Sequence, residues 1–148
     1  MIHACGVNDG GRGYLFVGNS GDGKSTLAKI WEKEADVLND DRIVVRKRNG
    51  QFWMHATPWS GSYKSVSPQS VPLERVFFLK QGTGNRIEHV AGARAATMLL
   101  TRCFPPVWDA QGIAFTLDFL SDLTSQVPCS ELTFIADDKV RDFIRCGA

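Results

Sequence analysis

The sequence of 148 residues lacks several features that would assign it to a class at once. No apolar run approaches the roughly 20 residues of a membrane-spanning helix, so we expect no membrane association. Basic residues are not in excess: 17 Lys and Arg against 16 Asp and Glu leave a net charge of +1, which disfavours bulk nucleic-acid binding. The four cysteines are widely spaced and form no Cys-x-x-Cys pair, which argues against zinc-ribbon and thioredoxin-like motifs.

The N-terminal stretch MIHACGVNDGG has neither the charged leader nor the long apolar segment of a signal peptide. We therefore expect a cytoplasmic protein with reduced thiols. The length predicts a single domain over residues 1–148, and 43% apolar residues are enough to fill its core. The sequence leaves open whether this domain forms a homo-oligomer.

The chain opens with a predicted β-hairpin. The strand-like segments 2–7 and 14–18 flank a turn-rich stretch, and a turn centred on Gly10-Gly11 pairs positions whose numbers add up to 21. This register brings His3 next to Gly18. A slip of one residue would turn His3 to the other face of the sheet.

The rest of the chain alternates between strand and helix patterns. Asn49-Gly50 predicts a second hairpin, and two hairpins favour a mixed sheet over a purely parallel one. Further strands are predicted at 36–38, 43–48, 51–56, 75–80 and 131–135, and helices at 24–35, 91–104, 109–127 and 137–145. The third helix carries an apolar stripe that predicts burial, formed by Ile113, Leu117, Leu120, Leu123 and Val127.

The segment GNSGDGKST between the first hairpin and the first helix matches the phosphate-loop pattern in full. Its glycines allow backbone N–H groups to surround a phosphate, and the following helix directs its positive dipole end there. We expect Lys24 to reach the outer phosphates of ATP and Ser25 to bind Mg²⁺. The residues expected to contact the nucleotide are Gly18, Asn19, Ser20, Gly21, Asp22, Gly23, Lys24, Ser25 and Thr26.

Two carboxylates, Asp40 and Asp41, follow the short strand after this helix. Ligands of open α/β sheets gather at such strand ends, so one carboxylate could serve the metal and the other accept a proton from an attacking hydroxyl. The alternative is that Asp40-Asp41-Arg42 is a solvated turn. His3 is either structural or, next to Asp40, a group that tunes the base or relays a proton.

The sequence resembles the catalytic core of HPr kinase/phosphorylase and related kinases, distant relatives of ATP-dependent phosphoenolpyruvate carboxykinase. The resemblance rests on the His3 strand, the loop from Gly18 to Ser25 and the Asp40-Asp41-Arg42 strand end. The segments TPWSG, FFLKQGTGNRIEHV and VPCSELTF are also similar to those of the related kinases. The resemblance implies a phosphate-loop α/β fold with a mixed sheet and flanking helices.

The resemblance also implies a Mg²⁺- and ATP-dependent kinase acting on a hydroxyl of a protein, peptide or small molecule. In the kinase site that the resemblance implies, Asp40 is the base, His3 lies close to it, and Asp41 lies nearer the metal. Two alternatives remain, a nucleotide-binding regulatory module and a plain ATPase. The Ser- and Pro-rich segment 57–72 is the expected site of acceptor specificity, and Lys64 within it is a candidate to close over a phosphate.

Overall fold

The computed structural model describes residues 1–59, 61–63 and 67–147. Its strands are β1 (Ile2–Asp9), β2 (Arg12–Val17), β3 (Asp36–Asn39), β4 (Arg42–Arg48), β5 (Gln51–Ala56), β6 (Ser70–Gln81), β7 (Arg86–His89) and β8 (Cys129–Phe134). Its helices are α1 (Lys24–Trp31), α2 (Gly92–Leu100), α3 (Ala110–Gln126) and α4 (Lys139–Gly147).

The main run of the sheet has the strand order β3-β1-β2-β6-β8-β7. Strands β2, β6 and β8 are parallel to one another, whereas β1 and β7 run against their neighbours. The hairpin β4–β5 joins this sheet at two points, because β4 pairs with the start of β1 and β5 with the start of β6. The sheet is therefore mixed, as the two predicted hairpins indicated.

Alternating side chains bury both faces of the sheet. In β2, Tyr14 and Phe16 face α1 and α4, whereas Leu15 and Val17 face α2 and α3. On the first face, the rings of Phe16 and Phe77 stack with centroids 5.5 Å apart above the buried Trp31. Helices thus cover both faces and leave the strand ends open.

The register predicted for the first hairpin is confirmed. Observed pairs such as Cys5 with Phe16 and Ala4 with Val17 have numbers that add up to 21, and the ladder ends at Ala4–Val17. His3 is the next residue along β1 and lies at the mouth of the glycine loop. The turn residues Asn49 and Gly50 both have positive φ, as the type I′ hairpin turn requires.

Three helix predictions need correction. Helix α2 ends at Leu100 rather than at residue 104, because the chain turns there to form the bridge between Cys103 and Ile2. Helix α1 ends at Trp31 rather than at residue 35, because the chain must turn back to pair β3 with β1. In α3, Leu120 and Leu123 are buried as predicted, but Leu117 is 47% exposed. A cavity of about 770 Å³ lies between β4 and the middle of α3, where Phe115, Phe119 and Leu120 line it and Leu117 does not. Among the described residues, no helix is long and apolar enough to cross a membrane.

Candidate functional site

The candidate site lies at one edge of the sheet, where several strand ends meet. Strands β2, β3, β6 and β8 all end at this edge, and the antiparallel β1 begins there. The glycine loop therefore lies next to the residues that follow β3 and next to His3. This arrangement is the usual location of ligands in open α/β sheets.

The glycine loop depends on backbone conformations that only glycine adopts without strain. Gly21 has φ +91° and Gly23 has φ +102°, both in the left-handed region. A Cβ at Gly23 would also lie 2.7 Å from the Phe134 ring. Gly23 is the N-cap of α1 and provides no side-chain cap, so the first N–H groups of the helix face the loop.

Lys24 directs its charge into the loop. Its Nζ donates hydrogen bonds to the carbonyl oxygens of Gly18 at 3.0 Å and Asn19 at 2.7 Å. The side chain is buried, and burial lowers the pKa of this lysine below its ordinary value. A buried ammonium group held by carbonyl oxygens alone is well placed to bind an anion that enters the loop.

Asp22 adds a negative charge to the same loop. Its carboxylate accepts a hydrogen bond from the backbone N–H of Asn19. An acidic side chain thus occupies one of the loop donors that the sequence pattern assigns to phosphate. Its charge raises the pKa of Lys24, opposing the effect of burial.

Asp40 is the most thoroughly bonded carboxylate of the site and is 2% exposed. It accepts hydrogen bonds from Ser25 Oγ at 2.7 Å, from the Gly61 N–H at 2.8 Å and from the Tyr63 N–H at 2.9 Å. Three of its roughly four acceptor positions are therefore occupied. Asp40 joins the loop serine to the segment that follows β5.

Asn39 holds that segment in place. Its side-chain amide donates to the carbonyl oxygens of Thr57 at 2.9 Å and Trp59 at 2.6 Å, and its own oxygen accepts from the Asp41 N–H at 2.7 Å. Asn39 is fully buried, so these bonds satisfy a polar group that would otherwise be costly. Asn39 was not among the predicted site residues, although its position directly before two aspartates was a usable signal.

His3 and Asp41 form a second polar pair beside Asp40. The distance from His3 Nε2 to Asp41 Oδ1 is 3.3 Å, and both side chains are partly exposed. Burial, followed by the charge of Lys24, lowers the pKa of His3, while Asp41 opposes this effect. The imidazole is therefore neutral at pH 7 and can accept a proton.

The glycine loop, the Ser25–Asp40 pair and the His3–Asp41 pair surround one cavity of about 380 Å³. Most of the predicted site residues line it: His3, Ser20, Gly21, Gly23, Lys24, Ser25, Thr26, Asp40 and Asp41. Asp22 instead lines an adjacent cavity with Gln81, Thr83 and Phe134. Lys64 lies outside the described residues.

The residues present fit a metal of the magnesium type. The described residues include no cluster of three or more His, Cys, Asp or Glu side chains that could hold a metal alone. Mg²⁺ does not need such a cluster, because it keeps several waters and binds through one or two protein oxygens plus phosphates. Ser25 Oγ and the carboxylate of Asp40, 2.7 Å apart, are oxygen ligands of this kind.

Comparison with solved structures supports a kinase-like fold. The structure of the Hpr(Ser) kinase/phosphatase from Coxiella burnetii is similar with a TM-score of 0.50 and 10% sequence identity, over 98% of this chain and 90% of that chain. This similarity concerns the fold alone. The protein is thus an α/β domain with a mixed sheet, distantly related in fold to an HPr kinase.

Residues 1–118 match the family model described as SynChlorMet cassette protein ScmC, so the chain belongs to the ScmC family. No curated protein matches the sequence. The resemblance to HPr kinases is therefore supported by the fold, whereas the sequence family is ScmC.

Proposed function

We propose that this protein is a Mg²⁺- and ATP-dependent kinase that transfers the γ-phosphoryl group to a hydroxyl. One observation carries the proposal: the glycine loop with Lys24, the Ser25–Asp40 pair and the His3–Asp41 pair line a single cavity. Phosphoryl transfer needs a phosphate cradle, a charge-stabilising group and a residue that orients or deprotonates the attacking group. The cavity offers a candidate for each.

In this proposal the loop binds the β- and γ-phosphates through its backbone N–H groups and Lys24. To contact these phosphates, Lys24 must break its hydrogen bonds to the carbonyl oxygens of Gly18 and Asn19. Asp22 must also release the Asn19 N–H. Bound Mg²⁺ would neutralise charge on the phosphates, with Ser25 and Asp40 as its protein-side oxygens.

The contacts favour a division of roles opposite to the one that the family resemblance implied. Asp40 has three hydrogen bonds, one of them from Ser25, which suits a position beside the metal. Asp41 is more exposed and has a neutral histidine 3.3 Å away, which suits a base. We therefore assign the base to the Asp41–His3 pair.

In the proposed step, the acceptor hydroxyl oxygen forms a bond to the γ-phosphorus while the bond from that phosphorus to the β–γ bridging oxygen breaks. Asp41 takes the hydroxyl proton, which His3 can share, and the electron pair of the broken bond leaves with ADP. Lys24 stabilises the charge on the transferring group.

The rival function is a nucleotide-binding regulatory module that transfers nothing. Such a module has no use for a partly exposed carboxylate paired with a neutral histidine beside the phosphate loop. The His3–Asp41 pair is thus the feature that favours a kinase.

The decisive experiment follows label from γ-labelled ATP with Mg²⁺ into free serine, seryl peptides and a host-cell extract. Asp41→Asn should reduce transfer by about 10²–10⁴-fold, the usual contribution of general acid–base groups, with Mg-ATP binding retained. Asp40→Asn should instead raise the Mg²⁺ concentration required. Asp36→Asn, exposed at the start of β3, is the matched control.

Tight ATP binding with no transfer by the wild type, and no effect of Asp41→Asn, would identify a regulatory module. Label released only as inorganic phosphate would identify an ATPase. A Mg²⁺ requirement that shifts in Asp41→Asn rather than in Asp40→Asn would restore the division of roles that the resemblance implied.

A further inference from the structure

Arg42 lies on the outer side of the Asp41 carboxylate. Its Nε is 3.2 Å from Asp41 Oδ2, while the other oxygen of Asp41 faces His3. This Nε is buried and makes an ion pair without a hydrogen bond. The guanidinium of Arg42 therefore lies directly beside the carboxylate of the proposed base, Asp41.

Two aromatic rings lie within contact of the guanidinium. Its central carbon lies 5.8 Å from the Trp59 ring centroid and 5.1 Å from that of Phe104, both within cation–π range. Both rings are about half exposed, Trp59 at 55% and Phe104 at 49%. Because the fork is already ordered, it loses little entropy when it binds a planar anion.

The outer face of this fork is available. The Arg42 side chain is 37% exposed. Within the described part of the chain, its terminal nitrogens donate no hydrogen bond, although a guanidinium carries five N–H donors. Trp59 and Phe104 place apolar surface next to these donors.

Two arginines besides Lys24 bring positive charge close to His3. Arg102 and Arg42 both lower the pKa of His3 by their charge, and the Arg102 carbonyl oxygen accepts a hydrogen bond from the His3 N–H. Asp41 lines the cavity around the loop, whereas Arg42 does not. An anion on Arg42 would therefore lie beyond the proposed base, on the acceptor's side rather than the nucleotide's.

We propose that Arg42 binds a carboxylate of the phosphoacceptor, so that the substrate is a compound or chain end with a carboxylate close to the reacting hydroxyl. A guanidinium fork matches a carboxylate with two parallel hydrogen bonds. The inference rests on the proposed kinase function and names the substrate class of that same site.

The test compares two probes, N-acetyl-L-serine and N-acetyl-L-serinamide, which differ only in the carboxylate. Calorimetry measures their binding to protein loaded with Mg²⁺ and a non-hydrolysable ATP analogue. Wild type should bind the acid about tenfold more tightly than the amide, as expected of a hydrogen bond to a charged group. Arg42→Gln should abolish this preference and leave the amide's affinity and the nucleotide's within about twofold.

Two further variants separate recognition from folding. Arg42→Lys keeps the charge but not the fork and should retain part of the preference. Arg48→Gln, an exposed position at the end of the same strand, should keep all of it. Thermal unfolding of each variant shows whether loss of the stacked guanidinium has disturbed the fold.

The proposal is overturned if the wild type shows no preference for the acid, if the preference survives in Arg42→Gln, or if Arg42→Gln weakens nucleotide binding instead. Failure of the kinase proposal is a separate result, because it appears as absence of label transfer from γ-labelled ATP, whether or not the nucleotide binds. The probe titrations measure binding and need no transfer, and they can be repeated on nucleotide-free protein, so the effect of Arg42 is still measurable.

Discussion

The candidate site has two sides that are built differently. The loop side is one continuous stretch, Gly18–Thr26, whose contacts are mostly internal, such as those from Lys24 to Gly18 and Asn19. The acceptor side combines His3, Asp40–Arg42, residues 57–59 and 61–63, and Phe104, which are far apart in sequence. A continuous segment can keep its geometry through local bonds, whereas the acceptor side depends on several elements being placed correctly at once.

This difference suggests how the two sides respond to change. Damage to the loop side should affect nucleotide binding and transfer together. Damage to the acceptor side should affect transfer with nucleotide binding retained.

Lys24→Ala should reduce both ATP binding and phosphoryl transfer, with transfer falling by about 10²–10³-fold, as when one charge-stabilising donor is removed. Equilibrium binding of a fluorescent ATP analogue and label transfer measure the two effects. Lys29→Ala removes an exposed lysine from the same helix and should change neither. Retained transfer in Lys24→Ala would remove this residue from the proposed chemistry.

The pH dependence of transfer should report His3. Its pKa lies below the ordinary value of 6.5 because burial and Lys24 disfavour the charged form. The neutral form therefore predominates above pH 6.5, and the rate should fall only as the pH drops through the lowered pKa. His3→Gln should remove this inflection and lower the rate by up to about 10²-fold, at the low end of acid–base contributions. A wild-type inflection above pH 6.5 would contradict the assignment.

Gly61→Ala should disturb the acceptor side while leaving the loop intact. An added Cβ would lie 3.0 Å from Asp40 Oδ1, so the segment or the carboxylate must shift by a few tenths of an ångström. We expect about tenfold slower transfer and a higher Mg²⁺ requirement, with ATP affinity unchanged at saturating Mg²⁺, since Asp40 is assigned to the metal and small misplacements within a site are costly. Gly84→Ala meets no atom within 4 Å and is the control. A loss of ATP affinity in Gly61→Ala would show that the two sides are not separable.

Asp22→Asn should strengthen ATP binding. The substitution removes a negative charge that bonds the Asn19 N–H within the loop, at nearly unchanged size. A gain of about 1 kcal/mol, roughly fivefold in affinity, is expected from relief of one repulsive charge pair, and salt should reduce it. Titrations at low and high ionic strength measure the gain. Weaker binding by Asp22→Asn would mean that the carboxylate supports the loop geometry rather than competing with phosphate.

Much of the loop side could be predicted from the sequence because its signals are local. The glycine spacing, the preceding strand and the following helix lie within one short stretch, and the pair sum of the first hairpin correctly placed His3 at the loop mouth. The burial of Leu117 was predicted wrongly, because periodicity identifies a helix face but not how far that face extends over the sheet.

The acceptor side was only partly predictable. Asp40 and Asp41 were identified as a pair. Their adjacency in the sequence does not indicate which of the two is covered by the segment after β5. The covering donors are backbone N–H groups of Gly61 and Tyr63, and backbone groups have no signature in a sequence. The hydrogen bonds of Asn39 and the contacts of Arg42 with Trp59 and Phe104 likewise join residues from separate segments.

The sequence by itself determined the glycine loop, the mixed sheet and the two carboxylates, because turn residues and periodicity act over a few residues. Only the tertiary structure decided how the carboxylates differ. Asp40 is covered by Ser25 and two backbone N–H groups, whereas Asp41 faces His3 on one side and Arg42 on the other. Neighbouring residues on a chain point to different surroundings, and those surroundings are set by long-range packing.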